Sequence, residues 1–255
     1  MRRTYLVDIG NSAIKWAGAD TPQHTGVITY GDNVMLAEQV RDFYISEKPE
    51  LIYACTVANS EKAQTIREVC NMTRIEFLGS QKAYEGRFRM ENRYEDYSKL
   101  GPDRWYAALG AVAKHPARNL VIVQMGTAIT VDSVRFVSPE EYAYLGGRIA
   151  PGPTMMFTSL RAGTARLKGE MGTWARTPLK TGDGIATGIA DCIEGVIRGG
   201  LRSFDQENEP LLILTGGASH FFEDFYKKFF PKYVIEDNLV ITGLSLRVKN
   251  ERRNE

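Results

Sequence analysis

Cysteine is scarce in this chain of 255 residues. Cys55, Cys70 and Cys192 are widely spaced and form no Cys-x-x-Cys pair. That excludes a disulfide framework and the usual thiolate zinc spacing, and it fits a reducing cytoplasm. Histidine is equally scarce: His24, His115 and His220 make no cluster with metal-ligand spacing. A dominant charge sign is missing too. The 32 Lys and Arg residues nearly cancel the 31 Asp and Glu residues, with no long basic block, so nucleic-acid binding has no support. No long apolar run exists. The opening strand-like run, residues 4–9, is far too short for a signal peptide or a membrane span. The expectation is a soluble, cytoplasmic protein with neither nucleic acid nor membrane as partner. Three signatures are also absent: the Walker A loop, the Rossmann glycine fingerprint and the Gly-x-Ser-x-Gly elbow.

What is present is glycine, in three segments that carry chemical groups. Asp8-Ile-Gly-Asn-Ser-Ala-Ile-Lys15 follows an apolar run. Glycine at a strand end lets backbone N–H groups approach a phosphate; Asn11 and Ser12 add side-chain donors, and Lys15 adds a point charge. A plain hairpin turn capped by a buried Asp8 is the alternative. Gly126-Thr-Ala-Ile-Thr-Val-Asp132 repeats the logic, with Thr127 as a phosphate donor. It also reads as ordinary strand sequence, since Thr and Val favour strands. Between them lies Gly101-Pro-Asp-Arg-Trp105. Asp103 is either an acid complementing a helix dipole or a general base for a substrate hydroxyl. Arg104 beside it can grip a carboxylate in bidentate fashion. Phosphoryl transfer asks a protein for little beyond positioning, charge neutralisation and such a base.

The hydrophobic pattern predicts strands at 4–9, 12–19, 26–30, 51–57, 74–78, 119–125, 128–136, 141–149 and 211–215. It predicts helices at 33–46, 61–72 (capped by Asn59 and Ser60), 103–114 (with Pro102 leading), 154–162, 182–204 and 219–229. Residues 79–100 read as a loop region and 247–255 as a frayed, solvated tail. Residues 146–152 and Thr215-Gly-Gly217 are glycine corners beside helices, and Thr181 reads as a helix cap or as something more. The order of elements restarts near residues 115–118. It divides the chain into halves, 1–116 and 117–255, of α/β layers that close on a nucleotide phosphate tail.

Taken together, these segments resemble the type III pantothenate kinases, of the actin/Hsp70/sugar-kinase superfamily. The match runs in order through Asp8-x-Gly-Asn-Ser-x-x-Lys15, Gly101-x-Asp-Arg104, Gly126-Thr-Ala-x-Thr-x-Asp132, Gly146-Gly-x-Ile-x-Pro-Gly152 and Thr215-Gly-Gly217. The resemblance implies two actin-like (ribonuclease H-like) half-domains, each a central mixed sheet flanked by helices. It implies ATP-dependent phosphorylation of pantothenate, with Mg-ATP as cofactor and a homodimer as the assembly. Asp8, Ile9, Gly10, Asn11, Ser12, Ala13, Ile14, Lys15 and Thr127 would hold ATP. Asp103 would be the proton acceptor. Tyr94, Gly101, Pro102, Arg104 and Thr181 would contact pantothenate, Thr181 from the partner subunit. Two positions depart from the family pattern. Asp96-Tyr97 stand where Asn-Pro is common, and Gln124 replaces an aspartate that binds K+ or NH4+. The alternatives are a kinase for another small alcohol, or a non-catalytic accessory protein on the same scaffold.

Overall fold

Buried β-type runs build a first mixed sheet around β1 (Thr4–Ile9). β2 (Ala13–Gly18) pairs with it antiparallel and β4 (Leu51–Thr56) parallel. β3 (Thr21–Thr29) and β5 (Arg74–Phe77) complete the order β3-β2-β1-β4-β5. β3 is an edge strand, and this is why it tolerates Pro22 and starts before the predicted residue 26. The computed structural model describes residues 3–29, 33–57, 60–167, 169–204, 209–217 and 223–254. Predicted features at Tyr30, Asn59 and residues 219–222 lie outside these.

The chain divides into two compact units. The first comprises Met1–Ala117, Val137–Tyr144 and Asn238–Glu255. Helices α1 (Asn33–Glu47) and α2 (Ser60–Val69) cover one face of its sheet. Leu36, Val40, Phe43 and Ile66 pack there with Val7, Ile9, Ile14, Ile52 and Ala54. Helix α3 (Pro102–Lys114) packs along α7 (Leu239–Asn254), with Trp105, Tyr106 and Leu109 fully buried.

Two regions of this unit differ from the sequence expectation. Residues 79–100 contain β6 (Ala83–Glu85), β7 (Arg89–Asn92) and a 3-10 turn at Tyr97–Lys99. β7 pairs parallel with Glu141–Tyr144, the first residues of β10 (Glu141–Pro151). That partner is distant in sequence, so local period could not reveal it. Residues 247–254 are the closing turns of α7 rather than a frayed tail. Val248 is fully buried, Arg247 pairs with Glu251, and Asn250 donates to the Glu85 carbonyl at 2.6 Å.

The second unit comprises Arg118–Phe136 and Leu145–Asp237. β8 (Leu120–Met125) is flanked by antiparallel β9 (Ala128–Ser138) and parallel β11 (Leu211–Thr215), with β12 (Tyr233–Ile235) beyond β11. Helices α4 (Pro153–Gly163), α5 (Thr181–Leu201) and α6 (Glu223–Phe229) accompany the sheet. The apolar stripe Ile185, Ile189, Ile193 and Ile197 of α5 packs on Val121, Val123, Val131 and Leu214. Both units are α/β, with mixed sheets flanked by helices. No helix among the described residues is long and apolar enough to cross a membrane.

Candidate active site

Strand alternation sorts the first glycine segment. Val7 and Ile9 point into the core shared with α1 and α2, so Asp8 points to the opposite face. Its ladder neighbours are Lys15 on β2 and Cys55 on β4. The Cys55 thiol donates to Asp8 Oδ1 at 3.6 Å. Burial pushes the Asp8 carboxyl up to about 7, and the negative charge of Asp103 adds to the rise; Lys15 and the thiol oppose it. The two acids singled out in the sequence therefore sense one another inside one unit.

The turn itself is a short hairpin, closed by the Gly10 N–H donating to the Ala13 carbonyl at 3.0 Å. Asn11 and Ser12 are exposed at its tip. Ile9 and Ile14 bury their side chains in the core, which leaves only their backbone for a ligand. Lys62 of α2 donates to the Asn11 carbonyl, bringing a second ammonium to the turn. Sequence reading gave no hint of Lys62, because its contact crosses from another element.

Asp103 sits in the first turn of α3. Pro102 leads the helix, and Asp103 Oδ1 accepts from the Arg104 N–H at 2.8 Å. A Cβ on Gly101 would lie 2.7 Å from that same oxygen, so glycine makes room for the carboxylate. Arg104 is only 5% exposed, with its guanidinium 5.9 Å from the Tyr94 ring centroid. Tyr94, which the resemblance groups with Gly101–Arg104, thus lies beside Arg104 at the start of α3. Asp96, a departure from the family pattern, has a local task. It accepts from the Ser98 N–H at 3.1 Å and the Ser98 hydroxyl at 2.6 Å, and these bonds hold its carboxyl below the usual range.

In the second unit the Gly126 N–H donates to the Ala128 carbonyl at 3.0 Å, and the Gly152 N–H donates to the Thr127 carbonyl at 2.9 Å. Gly126 and Thr127 are exposed. A Cβ at Gly152 would meet the Gly126 carbonyl oxygen at 2.2 Å. A Cβ at Gly216, whose φ is +97°, would meet the Met125 carbonyl oxygen at 2.4 Å. Gly152 and Gly216 therefore make room for the main chain of residues 125–127. Gln124 lies on β8 between Thr130 of β9 and Thr215 of β11. Thr181 is exposed at the first residue of α5. Lys180 takes the cap position, so Thr181 is not the cap. Among the described residues, no group of three or more His, Cys, Asp or Glu could hold a metal ion.

Comparison with known proteins identifies the family. Residues 5–203 match the family profile of the type III pantothenate kinases. A type III pantothenate kinase of Laribacter hongkongensis is 31% identical over 249 residues, covering 94% of this chain and 96% of that protein. Another, from Verminephrobacter eiseniae, is 30% identical over 230 residues, covering 84% of this chain and 86% of the relative. Among solved structures, an activator of 2-hydroxyisocaproyl-CoA dehydratase from Clostridium difficile, with bound ADPNP, superposes with a TM-score of 0.53. It shares 12% identity and is covered to 95% by 98% of this chain, a likeness of the actin-like fold. With the profile spanning most of its length and relatives matching nearly end to end, the chain belongs to the type III pantothenate kinase family.

Proposed function

We propose that Asp103 is the general base in the reaction of this kinase, the ATP-dependent phosphorylation of pantothenate to 4'-phosphopantothenate that opens coenzyme A biosynthesis. The observation that carries this reading is the grouping of Asp103 with Arg104 and Tyr94 at the start of α3, within electrostatic reach of Asp8. Asp103 takes the proton from the primary hydroxyl as its oxygen attacks the γ-phosphorus and the bond to the β-bridging oxygen breaks. Arg104 holds the pantothenate carboxylate through its planar fork, with Tyr94, Gly101 and Pro102 lining the same place. Residues 8–15 bind the ATP phosphates, and Thr127 contributes a hydroxyl. Magnesium arriving with ATP would supply charge neutralisation, with the nucleotide rather than a cluster of side chains holding the ion. The donor set fits a nucleotide-borne ion, since Lys15 and the Asn11 and Ser12 donors suit phosphate oxygens.

The two actin-like parts of this enzyme are the halves 1–116 and 117–255, except that Val137–Tyr144 and Asn238–Glu255 join the first unit, and the enzyme works in the cytoplasm. A neutral amide binds a cation more weakly than a carboxylate does, so Gln124 reduces dependence on K+ or NH4+. Thr181 reaches the pantothenate of a second subunit. Leu179, two residues before it, is 91% exposed, as suits a surface covered by another copy.

The test is an ADP-release assay with pantothenate. Asp103→Asn is expected to lose at least ~10²-fold in kcat while nucleotide affinity holds, because a positioned base contributes on that order. Near-wild-type turnover would remove Asp103 from the role. Mixing inactive Asp103→Asn subunits with Thr181→Ala subunits tests the dimer. The hybrid holds one intact site, so activity is expected to return. A mixture as inactive as its parts would place Thr181 elsewhere.

A further inference from the structure

We propose that Cys55 is a positioning residue for phosphoryl transfer: its buried thiol donates to Asp8 Oδ1 and fixes the orientation of that carboxylate beside the phosphate turn. This rests on the reading that places Asp8 at the ATP phosphates.

The geometry is set by register. Asp8 and Cys55 are opposed across the parallel β1–β4 pair, so their side chains leave the sheet on the same face. Lys15 opposes Asp8 from β2, and the negative charge of Asp103 on α3 acts on it. Asp8 therefore has an ammonium on one flank and the thiol on the other, with the like charge of Asp103 acting on it. The thiol is fully buried and cannot swing to solvent. Its own ionisation is pushed well above the ordinary thiol range, first by burial and then by the charges of Asp8 and Asp103. It stays S–H, a donor and not a nucleophile. Against an ionised carboxylate the thiol can only donate, and a bond to a charged acceptor is stronger than one between neutral groups. Without this donor, Asp8 is free to turn between Lys15 and the solvent-exposed turn, and its ionised form loses one of the two influences that favour it.

The test compares four purified full-length variants. Cys55→Val keeps bulk and removes the donor; Cys55→Ala removes both; Cys55→Ser keeps a donor; Asp8→Asn probes the premise. Cys55→Val and Cys55→Ala are expected to lose roughly fivefold to tenfold in kcat at pH 7, a loss of the size of one modest hydrogen bond. The acid limb of their rate profile should move to higher pH, and KM for pantothenate should hold. Cys55→Ser should recover most of the rate and the wild-type limb. The proposal is overturned if Val and Ser fall alike with the limb unmoved, or if Val behaves as wild type. Thermal melts separate the readings further, since a purely packing role predicts losses that follow Tm and leave the limb in place. A wild-type rate in Asp8→Asn would overturn the premise itself. An inactive Asp8→Asn beside a normal Cys55→Val would overturn the role of Cys55 alone.

Discussion

The two glycine turns use one device for different ends. In each, a glycine N–H closes onto a carbonyl of the returning strand: Gly10 onto Ala13, Gly126 onto Ala128. Around Gly10 the structure places charge, with Asp8, Lys15 and Lys62 near the turn and Asp103 acting on Asp8. Around Gly126 it places backbone. Gly152 lies against the Gly126 and Thr127 carbonyls, and Gly216 lies against Met125. The first turn is a loosely packed carrier of chemistry; the second is a shape fixed by close-packed main chain. Similar sequence signals at strand ends thus conceal different tolerances.

The sharpest way to expose that difference is Gly152→Ala. The added methyl would sit 2.2 Å from the Gly126 oxygen and 2.6 Å from the Thr127 oxygen, both main-chain atoms that cannot rotate aside. Overpacking of this kind costs about 1–3 kcal/mol or more. The variant is expected to show a clear fall in Tm and a sharp rise in KM for ATP. Gly216→Ala should behave alike, because its φ of +97° adds backbone strain worth ~1–3 kcal/mol. Melting curves matching wild type would show that the second turn yields as easily as the first.

Asp8→Asn probes the charged turn. The folded-state pKa of about 7 lies above the ordinary 3.8, so the native state binds more protons between these values. Stability therefore falls as pH rises through that window, and the loss is complete above about 7. Asparagine has no proton to lose. The variant is expected to lose activity yet melt a few degrees above wild type at pH 8, with the gap closing by pH 4. A wild-type melting profile at both pH values would show that the Asp8 charge bears no strain.

These contrasts explain what the sequence could and could not reveal. Strand runs such as Leu51–Thr56 and Leu120–Met125, and the Ile stripe of α5, follow from local pattern. So does the Gly101–Arg104 grouping, because Pro102 and Asp103 announce a helix start on their own. Residues 79–100 hid β7 because its parallel partner comes from Glu141–Tyr144. The α7 end was hidden because Asn250 finds its partner in the distant Glu85 carbonyl and Val248 is buried by the fold, neither of which local pattern shows. Cys55 carried no signal, since a cysteine in a buried strand looks the same with or without an acid on the next strand. Register supplies that information, and register is a property of two segments.

Gly10→Ala gives the smallest effect and the cleanest comparison. A Cβ there would meet only the Ala13 oxygen, at 3.0 Å, a contact that a few tenths of an ångström relieves. The φ at Gly10 is outside the left-handed region, so alanine adopts it without backbone strain. Alanine also restricts the unfolded chain, which stabilises by about 0.4–1 kcal/mol and offsets the tight contact. Tm should therefore stay near wild type. The methyl group would instead obstruct a phosphate approaching the turn, raising KM for ATP severalfold with kcat little changed. If Gly10→Ala loses stability as Gly152→Ala does, both glycines serve backbone packing and the contrast between the turns disappears. If neither Tm nor KM moves, Gly10 does not face the nucleotide, and the phosphate contacts of the first unit come from the other residues of the turn.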